Sequence, residues 1–289
     1  MRLKKHNAET IYFAAMNAQP PLEDTFADVI TKSMRGMALS DACVAERANC
    51  AASDVQSLRL GKWNLSIAKQ IAPALHLSAH ALASLADGSA LPSETAPASV
   101  RTFSTPFEDM VVNSYLVWDP RTREAFAFDT GADCSGILDC INTHNLNLAA
   151  VLITHTHGDH IFELDRLCTK TGAPAFVNEH EPLEGAQSFA SGMQWEAGDL
   201  RIESRLTWGH SKGGTSFVVR GLERPVAVVG DALFAASMGG GMVSYADALR
   251  TNREQLFTLP KDTLICPGHG PLTSIGWELG HNPFFADAK

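Results

Sequence analysis

The stretch that decides how this chain is read is THTHGDH, Thr154–His160, directly behind the apolar run Ala149-Ala150-Val151-Leu152-Ile153. An unbroken apolar run of that length predicts a buried strand. Three imidazoles and a carboxylate in the next seven residues gain nothing over leucine by packing, and as crowded cations the imidazoles would repel. Their lone pairs require a shared positive charge, and a metal ion is the natural one. Side chains of an extended segment alternate with period two, so His155 and His157 point the same way. Asp159 and His160 open the next helix and aim at a second position. Such a pattern arises by chance on the order of once per thousand chains of this length.

Three more apolar runs end alike. Leu206-Thr207-Trp208 leads into Gly209-His210, Val226-Ala227-Val228-Val229 into Gly230-Asp231, and Leu264-Ile265-Cys266 into Pro267-Gly268-His269. Four strands thus deliver metal-competent groups at their C-terminal ends, which gather along one sheet edge and converge on one cleft. His155, His157 and His210 would make one centre and Asp159, His160 and His269 another, with Asp231 giving one oxygen to each. Two ions about 3.5–4 Å apart form a hydrolytic arrangement. Ligation by nitrogen and oxygen without thiolate suits zinc, with iron or manganese as alternatives. Structural zinc sites are closed and cysteine-rich, whereas seven ligands for two ions leave positions open for chemistry.

The rest of the chain sets the frame. Its 289 residues suit one large domain and one small one, and 45% apolar residues supply a core. A formal charge of −9 argues against a surface that coats nucleic acid or membrane. No apolar run reaches the roughly 18 residues that a membrane span needs. MRLKKHNAET has no apolar segment behind its charges, so no secretory signal is read and the cytoplasm is expected. The six cysteines include no C-x-x-C pair and are read as small apolar residues.

Residues 1–21 form an N-terminal arm and 22–87 an all-α domain. Ser40 and Ser78 serve as helix caps, Asn49 as a left-handed turn, and Pro73 as a break. Ser53-x-x-Gln56 reads as a capping box opening a helix over Asp54–Leu60. Residues 88–100, rich in Gly, Ser, Ala and Pro, form a linker. Residues 101–289 alternate strands and helices as a mixed α/β domain. Its strands are expected at Met110–Trp118, Ala125–Phe128, Ala149–Ile153, Ala175–Val177, Thr215–Arg220, Pro225–Val229 and Thr263–Ile265, and its helices at Cys134–Thr143 and His160–Thr171.

Two resemblances carry this further. Residues 22–87 resemble the helix-turn-helix domain of phage repressors and Cro, which implies DNA contact through Arg59 and Lys62. Six basic against seven acidic residues over positions 22–88 oppose it, because phosphate binding wants a basic face. The remainder resembles the metallo-β-lactamase superfamily through Asp129-Thr130-Gly131, HTHGDH, Gly209-His210-Ser211, Gly230-Asp231-Ala232-Leu233-Phe234 and Pro267-Gly268-His269-Gly270-Pro271. That implies an αββα sandwich with a dinuclear site on one edge and the seven ligands above. It also implies that Asp129 orients the histidine loop.

Within the superfamily, GDALF and GHGPLTSIGWELGHNPF look most like the glyoxalase II (hydroxyacylglutathione hydrolase) group. The chain departs from that group by lacking its extra helical C-terminal domain. After Phe234, where relatives carry an arginine- or lysine-bearing loop, Gly239-Gly240-Gly241 brings no charge. Tyr245 and Arg250 are candidate substrate contacts, His180 is a candidate lining residue, and Glu278 and Asn282 are expected to anchor the C-terminal segment.

The expected activity is hydrolysis of a thioester or related ester by a hydroxide bridging two metals, with Asp231 holding the bridge and Asp159 handling a proton. The rivals are a mononuclear iron enzyme like the persulfide dioxygenases, a lactonase, and a transcription regulator binding DNA through residues 22–87. A small-molecule substrate, no membrane and a homodimer complete the expectations.

Overall fold

The computed structural model describes residues 20–89 and 91–286, so the expected arm lies outside the described residues except for its last two. Two six-stranded sheets form the middle of the molecule. The first runs in sequence order through β1 (Val100–Phe107), β2 (Met110–Trp118), β3 (Glu124–Phe128), β4 (Asn147–Leu152), β5 (Ala175–Asn178) and β6 (Gln187–Phe189). The second comprises β7 (Gln194–Ala197), β8 (Leu200–Leu206), β9 (Thr215–Arg220), β10 (Val226–Gly230), β11 (Leu264–Pro267) and β12 (Thr273–Ser274). β3, β4 and β5 run parallel, as do β10 and β11, so their carboxyl ends share an edge.

Strand periodicity sorts the side chains into layers. Tyr115, Val117, Phe126, Phe128, Ala150 and Leu152 of the first sheet meet Phe217, Val219, Val226, Val228, Leu264 and Cys266 of the second. The alternate residues Leu116, Ala125, Ala127 and Val151 face outward onto α6 (Ser135–His144) and α8 (Leu164–Thr171), through Ile137, Leu164 and Leu167. Strands buried on both faces explain why these segments read as continuous apolar runs. The result is the αββα sandwich.

The outer face of the second sheet is where the helical segment lies. α1 (Phe26–Gly36), α2 (Asp41–Ala48), α3 (Ala52–Arg59), α4 (Leu65–Ile71) and α5 (Ala79–Ala86) precede the sheets. Val29, Ile30, Leu75 and Leu82 of this segment belong to one continuous core with Val218, Ala227, Val229 and Ile265 of the sheet, and with Phe284 and Phe285 near the C-terminus. Ser40 and Ser78 cap α2 and α5 as expected, and Asn49 takes φ 52°. The expected capping box at Ser53 does not form: the N-cap is Ala51 without a side-chain bond, because the turn after Asn49 is shorter than the motif assumed. Pro73 ends α4 and starts a 3₁₀ turn, Pro73–Leu75. The linker's last residue, Val100, already pairs with Val117 as the first residue of β1.

Glu278, on α10 (Ile275–His281), is fully buried. It accepts from Thr273 Oγ1 at 2.6 Å, Asn282 Nδ2 at 2.7 Å and the Ala236 amide at 3.2 Å. Glu278 and Asn282 thus anchor the C-terminal segment as expected. Burial outweighs these bonds and pushes the carboxyl up to about 8. The native chain then holds a proton that the unfolded chain loses above its ordinary carboxylate range. Stability therefore declines as pH rises from about 4.5 toward 8. Glu278→Gln removes that slope. Denaturant unfolding of both proteins at pH 5 and pH 8 checks it, and identical pH slopes would refute the assignment.

Candidate active site

The cleft is built at the carboxyl ends of β3, β4, β10 and β11 and by the loop behind β8. Asp129, just past β3, takes φ 57° and is buried. Its carboxylate accepts from the Thr154 amide and hydroxyl, both at 2.7 Å, and from His160 Nδ1 at 2.8 Å. It thereby fixes the first and last turns of the histidine loop at once. His160 lies in the short helix α7 (Gly158–Ile161).

The outward ring nitrogens determine what faces inward. His155 Nδ1 donates to Thr154 Oγ1 at 3.1 Å, His210 Nδ1 to the Gly240 carbonyl at 2.9 Å, and His269 Nδ1 to the Val111 carbonyl at 2.7 Å. With His160 on Asp129, four imidazoles are tethered by Nδ1 and present Nε2 to the cleft. His157 presents Nδ1 instead, 3.0 Å from His155 Nε2 and 3.1 Å from His210 Nε2. Three nitrogen lone pairs thus crowd one point. Asp231 Oδ2 is 3.3 Å from His210 Nε2 and 3.9 Å from His155 Nε2. Its Oδ1 faces His160 Nε2 at 3.4 Å. Asp159 Oδ2 is 3.3 Å from the Nε2 atoms of both His160 and His269, and Asp231 Oδ2 is 3.5 Å from His269 Nε2.

The donor atoms fall into two groups, His155, His157, His210 and Asp231, then Asp159, His160 and His269, each within 4.8 Å of one another. Two atoms decide whether this set fits a metal. His160 Nε2 and Asp231 Oδ1 are buried and lack a hydrogen-bond partner, a state that costs about 1–3 kcal/mol per group unless a cation takes the lone pairs. The donor set fits a pair of divalent ions.

Electrostatics divide the site. Burial holds His155 and His210 below the ordinary imidazole range, for His155 well below it. Burial also opposes charge on His160 and His269. Asp129 and Asp231 nevertheless push His160 up to about 10, and Asp159 and Asp231 push His269 up to about 11. His155 and His210 are thus held neutral, whereas His160 and His269, facing the carboxylates, are held positive.

All seven expected ligand residues and Asp129 are therefore brought together. The expected substrate contacts are not. Tyr245, at the start of α9 (Tyr245–Thr251), lays its ring over Gly36 of α1 and near Phe284, so it packs the helical layer. Arg250 pairs with Asp247 and Glu254 along its own helix. Arg59 pairs with Asp41 at 3.1 Å, while Lys62 stays exposed beyond α3. His180 is exposed.

Its neighbour Glu181 is the residue that sequence reasoning missed. Its carboxylate accepts from the Thr156 amide at 3.2 Å and the Lys212 amide at 2.8 Å, tying the loops of His155–His160 and His210 together. The only signal was its place in NEHEPLE, where two other glutamates hid it.

A model of the metallo-beta-lactamase superfamily matches residues 108–269, more than half of the chain. The chain belongs to this superfamily. It is similar to a probable metallo-hydrolase of Streptococcus pyogenes, 33% identical over 199 residues that cover 59% of this chain and 84% of the relative. It is also similar to a hydroxyacylglutathione hydrolase of Halorhodospira halophila, 31% identical over 163 residues covering 54% and 60%. Among solved structures, the BLEG-1 B3 metallo-β-lactamase aligns with TM-score 0.57 and 26% identity, covering 64% of this chain and 99% of that one.

The site leaves no room for an extra carbon behind Asp231. A β-carbon at Gly268 would stand 2.2 Å from Asp231 Oδ1 and 2.8 Å from His160 Cε1. Gly268→Ala must therefore displace the carboxylate that both groups share. Loss of at least one bound metal per chain and roughly a hundredfold fall in turnover are expected, since such misplacement costs about that much. Metal analysis of the purified variant checks this, and wild-type content would refute it.

Proposed function

We propose that the protein is a metal-dependent hydrolase of ester-like carbonyl compounds, thioesters first among them. The observation that carries this reading is Asp231, whose two oxygens face both donor groups from a buried position. His155, His157 and His210 would hold one divalent ion, Asp159, His160 and His269 the other, with Asp231 shared. When bound, such ions supply hydroxide near neutral pH and polarise the carbonyl oxygen. The protein's part is preorganisation. Asp129, Thr154 and the Gly240 and Val111 carbonyls fix the ring orientations before substrate arrives. Asp159 borders the cleft within reach of His160 and His269, and would accept the proton of the attacking oxygen as the carbon–sulfur bond breaks and the thiolate leaves.

Similarity to a hydroxyacylglutathione hydrolase supports the thioester. Similarity to a B3 metallo-β-lactamase keeps cyclic amides in the test. Zinc is the favoured ion by donor chemistry. DNA binding by residues 22–87 is left out of this reading, because Arg59 is already paired and the segment shares its core with the sheet. Among the described residues no helix is long and apolar enough to cross a membrane.

Metal quantification on protein purified without added ions, combined with initial rates on thioesters, lactones and a β-lactam, tests the proposal. Two ions per chain and fastest turnover of a thioester are expected. One iron per chain with oxygen uptake and no hydrolysis would overturn it.

A further inference from the structure

The lead-in to the helical segment and its first helix both reach the loops that carry the ligands. Its lead-in passes Gly270, where a β-carbon would stand 3.3 Å from the Glu23 amide nitrogen and 3.6 Å from the Pro21 carbonyl oxygen. The Glu23 carboxylate is within electrostatic reach of His269 and Asp231. Further along, Lys32 pairs with Asp24 and donates to the Met238 carbonyl at 2.8 Å. Lys32 also stands 5.2 Å from the centre of the Phe234 ring, which meets His269 edge-on at 5.6 Å. Ser237 Oγ donates to Asp24 Oδ2 at 2.5 Å. These bonds clamp α1 to the loop behind Asp231, so the next turn of α1 has a fixed address.

That turn carries Arg35. Its Nη2 lies 2.7 Å from the place a Gly240 β-carbon would occupy, and the Gly240 carbonyl is the acceptor that tethers His210. Any side chain at position 240 would meet the guanidinium, and one at 239 would meet the Asp231 carbonyl at 1.9 Å. The glycine tract therefore does more than lack charge, because it lets a cation from another element approach. Lys32 is neutralised by Asp24, whereas Arg35 is exposed and has no carboxylate partner among the described residues.

We infer that Arg35 is the docking cation for an anionic group, a carboxylate, carried by the substrate, and that the helical segment forms the specificity wall of the cleft. A guanidinium fork matches a carboxylate with two parallel hydrogen bonds. The chain's charge of −9 repels an anionic ligand elsewhere, so a guanidinium beside the Gly240 tether of His210 adds both attraction and direction. Glu23 at the opposite end of the same wall repels the anion there. The substrate carboxylate therefore points to the His210 side.

This inference rests on the hydrolase reading, and its test separates the two. Metal-loaded full-length protein is assayed on thioesters that differ only in a carboxylate or its isosteric amide, placed on the acyl or on the thiol side. Binding of the matching ketones, with methylene in place of sulfur, is measured by calorimetry. Wild type is expected to prefer one carboxylate compound over its amide by about tenfold in kcat/KM, the worth of one good charge-assisted pair. Arg35→Ala brings that ratio close to unity through KM with metal content unchanged, Arg35→Lys keeps part of it, and Arg47→Ala, an exposed charge on α2, keeps all of it.

The ketones must show the same loss of carboxylate preference in Arg35→Ala. If no thioester is turned over but the ketones behave as expected, the hydrolase reading fails and the Arg35 assignment stands. If wild type and Arg35→Ala bind carboxylate and amide ketones in the same ratio, the assignment fails whatever the rates.

Discussion

Asp231→Ala lowers kcat/KM by at least about a thousandfold and takes bound metal from two ions per chain to one or none. The size follows from geometry. Among the described residues, Asp231 is the one carboxylate facing His155, His210, His160 and His269 together, at separations between 3.3 and 3.9 Å. Burial opposes its ionisation, yet His160 and His269 hold its carboxyl well below the usual carboxylate range, so it carries its charge in the native chain. Without it, five imidazoles and Asp159 must hold two dications with a single negative charge, in a pocket that penalises unbalanced charge.

Asp231→Asn keeps the shape and removes the charge, which separates packing from electrostatics. It too should lose metal, while its thermal unfolding stays cooperative. Elemental analysis after desalting, beside rates on the best thioester, measures both effects. Two retained ions with unimpaired turnover in Asp231→Ala would sink the metal assignment and the hydrolase reading with it.

The parts of this site legible in the sequence were those in which chemistry and local geometry coincide. HTHGDH follows a buried strand, and each remaining ligand stands two or three residues past an apolar run, so strand ends brought Asp231 and His269, and the loop behind β8 brought His210, to one edge. Besides β12 and most of β8, three strands escaped notice, and their physics is different. β1 is an edge strand with an alternating, half-exposed pattern and a proline, and β6 and β7 are short and half solvated. A hydrophobic run cannot mark them.

Glu181 and Arg35 were illegible for another reason, because both act across long sequence separations. Glu181 joins loops 25 and 31 residues away, and nothing near either residue distinguishes it from a surface charge. Tyr245 failed in the opposite direction. Its position in the loop after Phe234 suggested the cleft, but the helical layer above the second sheet takes its ring. Gly239–Gly241 brings no charge of its own, and the consequence depends on a helix some 200 residues earlier.

Removal of residues 1–95 leaves a chain that fails to fold cooperatively and is recovered mainly in the insoluble fraction. The composition of residues 88–100 resembles a linker between independent modules, but packing opposes independence. Val218, Ala227, Val229 and Ile265 on the second sheet, and Phe284 and Phe285 behind α10, are at most 3% exposed in one core with Val29, Ile30, Leu75 and Leu82. Uncovering side chains of this kind costs about 1.5–3 kcal/mol each, and several together exceed the roughly 5–15 kcal/mol by which a domain is stable. Polar ties go with them: Ser78 N to the Pro283 carbonyl at 2.8 Å, Ser237 to Asp24, and Lys32 to the Met238 carbonyl.

The last two hold the loop between Asp231 and Gly240, so metal binding should weaken even in whatever soluble fraction survives. A milder variant, Ile30→Ala, lies far from the donors in sequence and fully inside the shared core. It should lose about 2–5 kcal/mol in denaturant unfolding, through a single transition that melts helices and sheets together. Two separate transitions in the full-length protein, or a truncated chain that stays soluble and holds two ions, would show the helical segment to be an independent module and would remove the physical basis for a cleft wall built from α1.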